Sequence, residues 1–187
     1  MPLYQNSSVD STRLVIGNYK IETSPYASAA GSFTWVNMGA GMVSAFRHEM
    51  EKYDVQAGNA PDPIEGVARE TFKIEMELIE FDTSAMAAIS GGLVTAVSTG
   101  TVMTMYGGGN ATITPRAFRL TNTRMVSGAT KQTIITVFSV TPDQGPTFTA
   151  KSDNDADPIN IIPLTLTGEQ DTTRSVGTQL YTITKTI

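Results

Sequence analysis

Residues Arg69 to Phe81 read RETFKIEMELIEF, and their alternation decides the fold class. Phe72, Ile74, Met76 and Leu78 fall on one side of an extended chain, and Thr71, Lys73, Glu75 and Glu77 on the other. Successive side chains of a strand point to opposite faces, whereas a helix would scatter these four apolar residues around its circumference. The segment is therefore a strand with one buried face and one charged face.

Working outward, Asp82-Thr83-Ser84 supplies N-cap residues, AMAAI is helical in propensity, and Gly91-Gly92 offers a stop. These signals predict one short helix over about Ser84 to Ser90. Upstream, Gly58 to Gly66 (GNAPDPIEG) is rich in turn residues. Before it, Met42 to Gln56 (MVSAFRHEMEKYDVQ) has mixed signals. AFRHEMEKY is fair helix, but VSAF, YDV and the flanking glycines favour a long strand. Arg13 to Thr23 (RLVIGNYKIET) reads as a strand, or a bent pair, around Gly17-Asn18, with Leu14, Ile16, Tyr19 and Ile21 on its apolar side. Ser24 to Gly41 carries Phe33 and the single Trp, Trp35, which suits an ordered loop better than a linker. Further strands are expected at about Thr101–Tyr106, Ala117–Thr121, Gln132–Val140, Ile159–Thr167 and Thr178–Thr186, separated by Gly, Pro, Asp and Asn clusters. The expectation is a mainly β fold, a β-barrel or sandwich with one short α-helix, forming a single domain over 1–187.

Composition narrows the chemistry. Of 187 residues only 17% are charged, against about 25% in an average domain. There is no Cys, which excludes disulfides, thiolate chemistry and iron–sulfur clusters, and one His, which excludes a multi-His metal site. The net charge of −5 argues against a protein that grips nucleic acid, since that needs clustered Lys and Arg. The charge is unevenly spread. Between Glu49 and Asp82 ten acids (Glu49, Glu51, Asp54, Asp62, Glu65, Glu70, Glu75, Glu77, Glu80, Asp82) face three bases (Lys52, Arg69, Lys73). From Thr83 to Pro142 there is no acid, while Arg116, Arg119, Arg124 and Lys131 are basic. An acidic face and a basic face on one chain suit head-to-tail self-association, although scattered surface charge gives the same tally.

Candidate motifs each meet a plainer reading. Asp153-Asn154-Asp155-Ala156-Asp157 has the spacing that opens a calcium loop, but Pro158 stands where the turn needs Gly and Leu164 where a bidentate Glu is needed. His48 has no nucleophile elbow to serve and reads as a strand or interface residue. Gly39-Ala40-Gly41 and Gly107-Gly108-Gly109 lack the Lys-Ser/Thr of a phosphate loop and read as turns. The pair Glu75/Glu77 has the chemistry for acid–base work but lies among other acids on one strand face. The nine Met residues suit adaptable packing in the core or between subunits. MPLYQNSSVDSTR has no basic-then-apolar signal pattern, and the charge-free stretch from Thr83 to Pro115 is broken by glycines before it could span a membrane. No catalytic signature, metal site or cofactor site is expected.

The order of these features resembles a known family. A long acidic strand and turn, MVSAFRHEMEKYDVQAGNAPDPIEG, leads into RETFKIEMELIEF and then a short helix ending in Gly-Gly, DTSAMAAISGG. DNDADPINIIPLTLTGEQD and GTQLYTITKT then look like a closing pair of strands. This succession is similar to the tail tube (major tail) proteins of long-tailed bacteriophages, over most of Met42–Ile187. The resemblance implies a small β-barrel or sandwich flanked by a helix, with residues 1–12 as an extended arm. It implies hexameric rings stacked into a tube that conducts DNA into the host, located in the virion tail after assembly in the host cytoplasm. The implied partners are further copies of the chain, the tape measure protein, the tail terminator and baseplate or tip proteins. DNA would pass without specific binding, no membrane would be involved, and no catalysis or cofactor is implied. Glu49, Glu51, Glu70, Glu75 and Glu77 are then the candidates for acidic, lumen-facing side chains. Thr83–Pro142, Gly58–Gly66 and Asp143–Asp157 become candidates for contacts between rings. The uncharged Gly/Thr stretch Gly91–Asn110 departs from the family's usual look.

Two other classes remain open on sequence grounds. A monomeric β-sandwich of the carbohydrate-binding or adhesin kind would present Trp35, Tyr53 and Tyr106 for sugar stacking. A small hydrolase would use paired carboxylates such as Glu75 and Glu77.

Overall fold

The computed structural model describes residues 18–55, 64–79, 87, 89–90, 94–99, 102–108, 112–126, 128–145 and 162–186. Among these the chain is mainly β, as the alternation predicts. The strands are β1 (Tyr19–Pro25), β2 (Val36–Val55), β3 (Ile64–Leu78), β4 (Val94–Thr99), β5 (Val102–Gly107), β6 (Arg116–Val126), β7 (Ala129–Pro142), β8 (Ile162–Glu169) and β9 (Tyr181–Lys185).

The main sheet has seven strands in the order β6-β1-β2-β3-β8-β7-β9, and β6 also pairs with β7. That extra pairing closes β6, β1, β2, β3, β8 and β7 into an antiparallel barrel, which removes most exposed sheet edges. Among the described residues β9 pairs only with β7, at Val137↔Tyr181 to Thr133↔Lys185. β4 and β5 form a separate hairpin.

The barrel interior is the core. Phe72, Ile74, Met76 and Leu78 are all nearly fully buried, and they pack with Ile21, Met38, Phe118, Leu120, Val137, Ile162 and Leu166. Truncating a side chain of this kind costs roughly 3–5 kcal/mol, from lost transfer energy plus a cavity. β8 repeats the alternation of β3, with Ile162, Leu164, Leu166 and Gly168 inward. Phe138 breaks the rule in β7: both it and Val137 are buried, on opposite faces, so something covers the barrel's outside there.

Two expectations need correction, the first being the ordered loop over Ser24 to Gly41, which gives way to β2 at Val36. Gly39-Ala40-Gly41 does not make a turn; it lies inside β2, opposite Ile21, Lys20 and Tyr19. The register of β1 and β2 shifts between Ile21 and Glu22, and Gly39 takes up the irregularity with a φ of 102° that a residue with a Cβ rarely adopts. At Gly41 space is the constraint, since a Cβ would stand 2.5 Å from the Ile21 Cδ1 and 2.8 Å from the Glu77 carbonyl oxygen. The mixed alternation of β2 also has a cause. The register slips between Val43 and Ala45, and Ser44, the extra residue, donates its hydroxyl to the Glu75 carbonyl at 3.0 Å.

Of the expected short helix, Ala87 and Ile89 are helical and Ser90 donates its hydroxyl to the Ala87 carbonyl; its other residues lie outside the described ones. Residues 1–12, the acidic run 153–157 and most of 58–66 are likewise outside them, although Ile64–Gly66 belong to β3. β4 is a strand the sequence reading did not anticipate.

Candidate functional site

The charged surface is built by β2, β3 and β8. Residues directly opposite in an antiparallel pair share a face, so the register assigns every side chain here. Glu49 faces Thr71, Glu51 faces Arg69, Arg47 faces Lys73, Ala45 faces Glu75 and Met42 faces Glu77. Across to β8, Thr71 faces Glu169, Glu75 faces Thr165 and Glu77 faces Pro163. Glu49, Glu51, Glu75 and Glu77 therefore share the exterior of the barrel wall with Glu169.

Glu70 does not join them. It stands opposite Met50, one residue out of phase with Arg69 and Thr71, on the face that carries Phe72. It accepts a hydrogen bond from Gln170 at 2.9 Å and helps line a groove of about 540 Å³ with His48, Val67, Leu180 and Tyr181. His48 meets the Tyr181 ring edge-on at 5.9 Å, and Tyr181 in turn packs on Phe72 at 4.3 Å.

The exterior acids are partly neutralised. Arg47 pairs with Glu75 at 3.0 Å, Lys73 with Glu49 at 3.5 Å, and Arg69 with Glu169. All these side chains are exposed by about a third or more, so each pair contributes at most about 1 kcal/mol. Glu51 and Glu77 have no ion pair among the described residues. The surface is a mixed field with an excess of acid, which repels phosphate without presenting the basic stripe a binder needs.

The same strands expose large apolar side chains: Met42 (48%), Met50 (54%), Tyr53 (49%) and Val67 (47%). They are interleaved with charged side chains along β2 and β3.

A second cluster sits on the exterior of β1, β6 and β7. Glu22, almost fully buried, faces Arg119 across the strands and accepts from its Nε at 2.7 Å and from Lys20 at 2.8 Å. The hydrogen bond from Arg119 holds the Glu22 carboxyl below the usual carboxylate range, against the opposing effect of burial. Arg119 lies 4.6 Å from the Trp35 ring, and Trp35 packs on Phe33 at 5.0 Å. Trp35 is thus part of the packing over the barrel, not a free platform for sugar stacking. Tyr53 lies over Gly66, and Tyr106 is exposed.

Among the described residues no group of three or more His, Asp or Glu side chains is placed to hold a metal ion, and no helix is long and apolar enough to cross a membrane.

No protein-family model matches this chain, and neither does any curated protein. Among solved structures, the cryo-EM structure of the anti-feeding prophage cap, the AFP tube terminating cap, aligns over 98% of this chain and 100% of its own, at 11% identity and a TM-score of 0.46.

Proposed function

We propose that this chain is a virion structural protein of the tail tube type. Copies associate into rings, hexameric by the family resemblance, and the rings stack into a hollow tube that carries DNA into the host. The protein performs no catalysis and needs no cofactor. Its partners are other copies of itself and the tape measure, terminator and tip proteins of a phage tail.

The observation that carries this reading is the β2–β3 strand pair. Its exterior sets Glu49, Glu51, Glu75 and Glu77 on one wall, and the same pair exposes Met42, Met50, Tyr53 and Val67. A wall with surplus acid lets a polyanion pass without holding it, because cation-mediated phosphate contacts are what give nucleic acid its affinity. Exposed apolar side chains beside that wall suit burial between subunits. The test is negative-stain microscopy of the purified chain across a concentration series, alone and with tail components. Rings or tubes are the expected result; a chain that stays monomeric at high concentration and never joins tail components overturns the reading.

A further inference from the structure

β1 is too short for the strand beside it. It begins at Tyr19, opposite Gly41, while β2 runs on to Val55. Residues 42–50 of β2 pair with β3 on one side and, among the described residues, with no strand on the side where β1 lies. An antiparallel edge of this kind points alternate backbone N–H and C=O groups outward and is a template for one more strand.

The side chains show the same gap. Phe46 stands opposite Ile74, on the face that fills the barrel. Ile74, flanked by β2 and β8, is fully buried. Phe46 is 37% exposed, although its ring meets Phe72 at 6.0 Å and Tyr19 at 6.2 Å. Its cover stops where β1 stops.

The chain itself carries a fitting occupant. Backward from Tyr19, antiparallel pairing points the backbone along β2 past Gly41. At Asn18 the chain is still held to β6, where the Asn122 side-chain amide donates to the Asn18 carbonyl at 3.2 Å. Residues 13–17 read Arg-Leu-Val-Ile-Gly. Five extended residues span about 17 Å, which is also the reach of β2 from Gly41 to Phe46. Because Leu14, Val15 and Ile16 are all aliphatic, one of them falls on the Phe46 face in either phase, so the extra residue at Ser44 does not spoil the match.

We propose that residues 13–17 extend β1 along the uncovered edge of β2 in the same chain and lay an aliphatic side chain over Phe46. Direct covalent attachment beside the edge gives this segment a far higher effective concentration there than the same segment of a second copy. The extension is a property of the single chain and holds whether or not copies assemble. Met50, Tyr53 and Val67 lie beyond its reach and stay open to other chains.

The test is amide hydrogen exchange, read residue by residue by NMR on the full chain at concentrations where it is monomeric. In residues 42–47 the amides pointing away from β3 should exchange at least about a hundredfold faster in Leu14→Asp/Ile16→Asp than in the wild type, with the Ile74 and Leu166 amides equally protected in both. Equal exchange of the edge amides in the two proteins overturns the extension. Wild-type protection unchanged by dilution supports pairing within one chain. Protection that fades on dilution assigns the edge to a second copy and overturns the proposal. Should the variant also lose protection at Ile74 and Leu166, the wild type decides alone. Edge amides slowed at least about a hundredfold relative to an unstructured chain, at every dilution, support the extension, and edge amides exchanging at the unstructured rate overturn it.

Discussion

The Arg174 guanidinium lies 3.8 Å from the centre of the Phe138 ring, 5.3 Å from that of Phe33, and donates from Nε to Asp171 at 2.8 Å. This is what covers the outward-facing Phe138. Asp171 also accepts from the Tyr26 hydroxyl at 3.0 Å and from the backbone and hydroxyl of Thr173, while Arg174 reaches the Ala27 carbonyl at 3.1 Å. The loop after β1 and the loop before β9 are thereby clasped to the barrel wall. The ion pair is buried, with side-chain exposures of 14% and 1%. Breaking such a pair strands a charge, so Asp171→Ala should lower unfolding stability by about 3–5 kcal/mol in urea titration. Arg174→Lys keeps the charge but loses the planar stacking group, and should cost about 1 kcal/mol. Equal effects from the two substitutions would mean that charge, not stacking, holds the clasp.

Acid should loosen the molecule by a defined route. Burial pushes the Asp171 carboxyl up, but hydrogen bonds from Thr173 and Tyr26 and the charge of Arg174 outweigh it and hold the group below its ordinary value. Glu22 is lowered chiefly by its hydrogen bond from Arg119. A carboxylate lowered in the folded state adds stability that is present above the unfolded pKa, about 4, and is lost as pH falls through the folded value. The thermal midpoint should therefore drop steeply below about pH 4. The double variant Glu22→Gln/Asp171→Asn should start lower at pH 7 and show a flatter profile. An unchanged slope would place the acid sensitivity elsewhere.

Much of this was legible in single segments. RETFKIEMELIEF announced β3, its buried face and the exterior positions of Glu75 and Glu77, because strict alternation has one reading. In β2 the same logic failed, since the extra residue Ser44 shifts the phase midway. The phase of Glu70 was in fact written in the sequence, one residue from Thr71, yet acid density alone grouped it with the exterior acids. The clasp could not have been read at all. Tyr26 and Asp171 are 145 residues apart, and no local pattern says that Phe138, between Val137 and Ser139, turns outward.

Gly41 is a close-approach site, and its substitution has a direct prediction. In Gly41→Ala the new methyl meets the Ile21 side chain and the Glu77 carbonyl oxygen. The side chain can move but the carbonyl belongs to the β2–β3 ladder, so strain of about 1–3 kcal/mol is expected as a lower denaturant midpoint. Gly108 is the control: it has a φ of 108° but no atom near its Cβ position. Gly108→Ala should cost only the backbone term, about 1–2 kcal/mol. A Gly41→Ala protein as stable as the wild type would show that β2 can shift away from β3 at this point.

The acid wall makes a prediction about DNA that does not depend on how the copies dock. Glu51 and Glu77 lie on the exterior of β2–β3 and have no ion pair among the described residues, so reversing them breaks no described salt bridge. In Glu51→Lys/Glu77→Lys the surplus acid of that face, set against Arg47, Arg69 and Lys73, becomes a surplus of base. Each new cation repeated around a ring and along a stack offers a phosphate contact, and the free energy of counterion release accumulates with every one. Assembled variant particles should retain double-stranded DNA roughly tenfold or more above wild-type particles at low salt, and the excess should vanish as salt rises. Filter retention across a salt series reads both quantities. Equal retention by the two proteins would mean that this face does not meet DNA, and the conduit would have to be lined by another wall of the barrel.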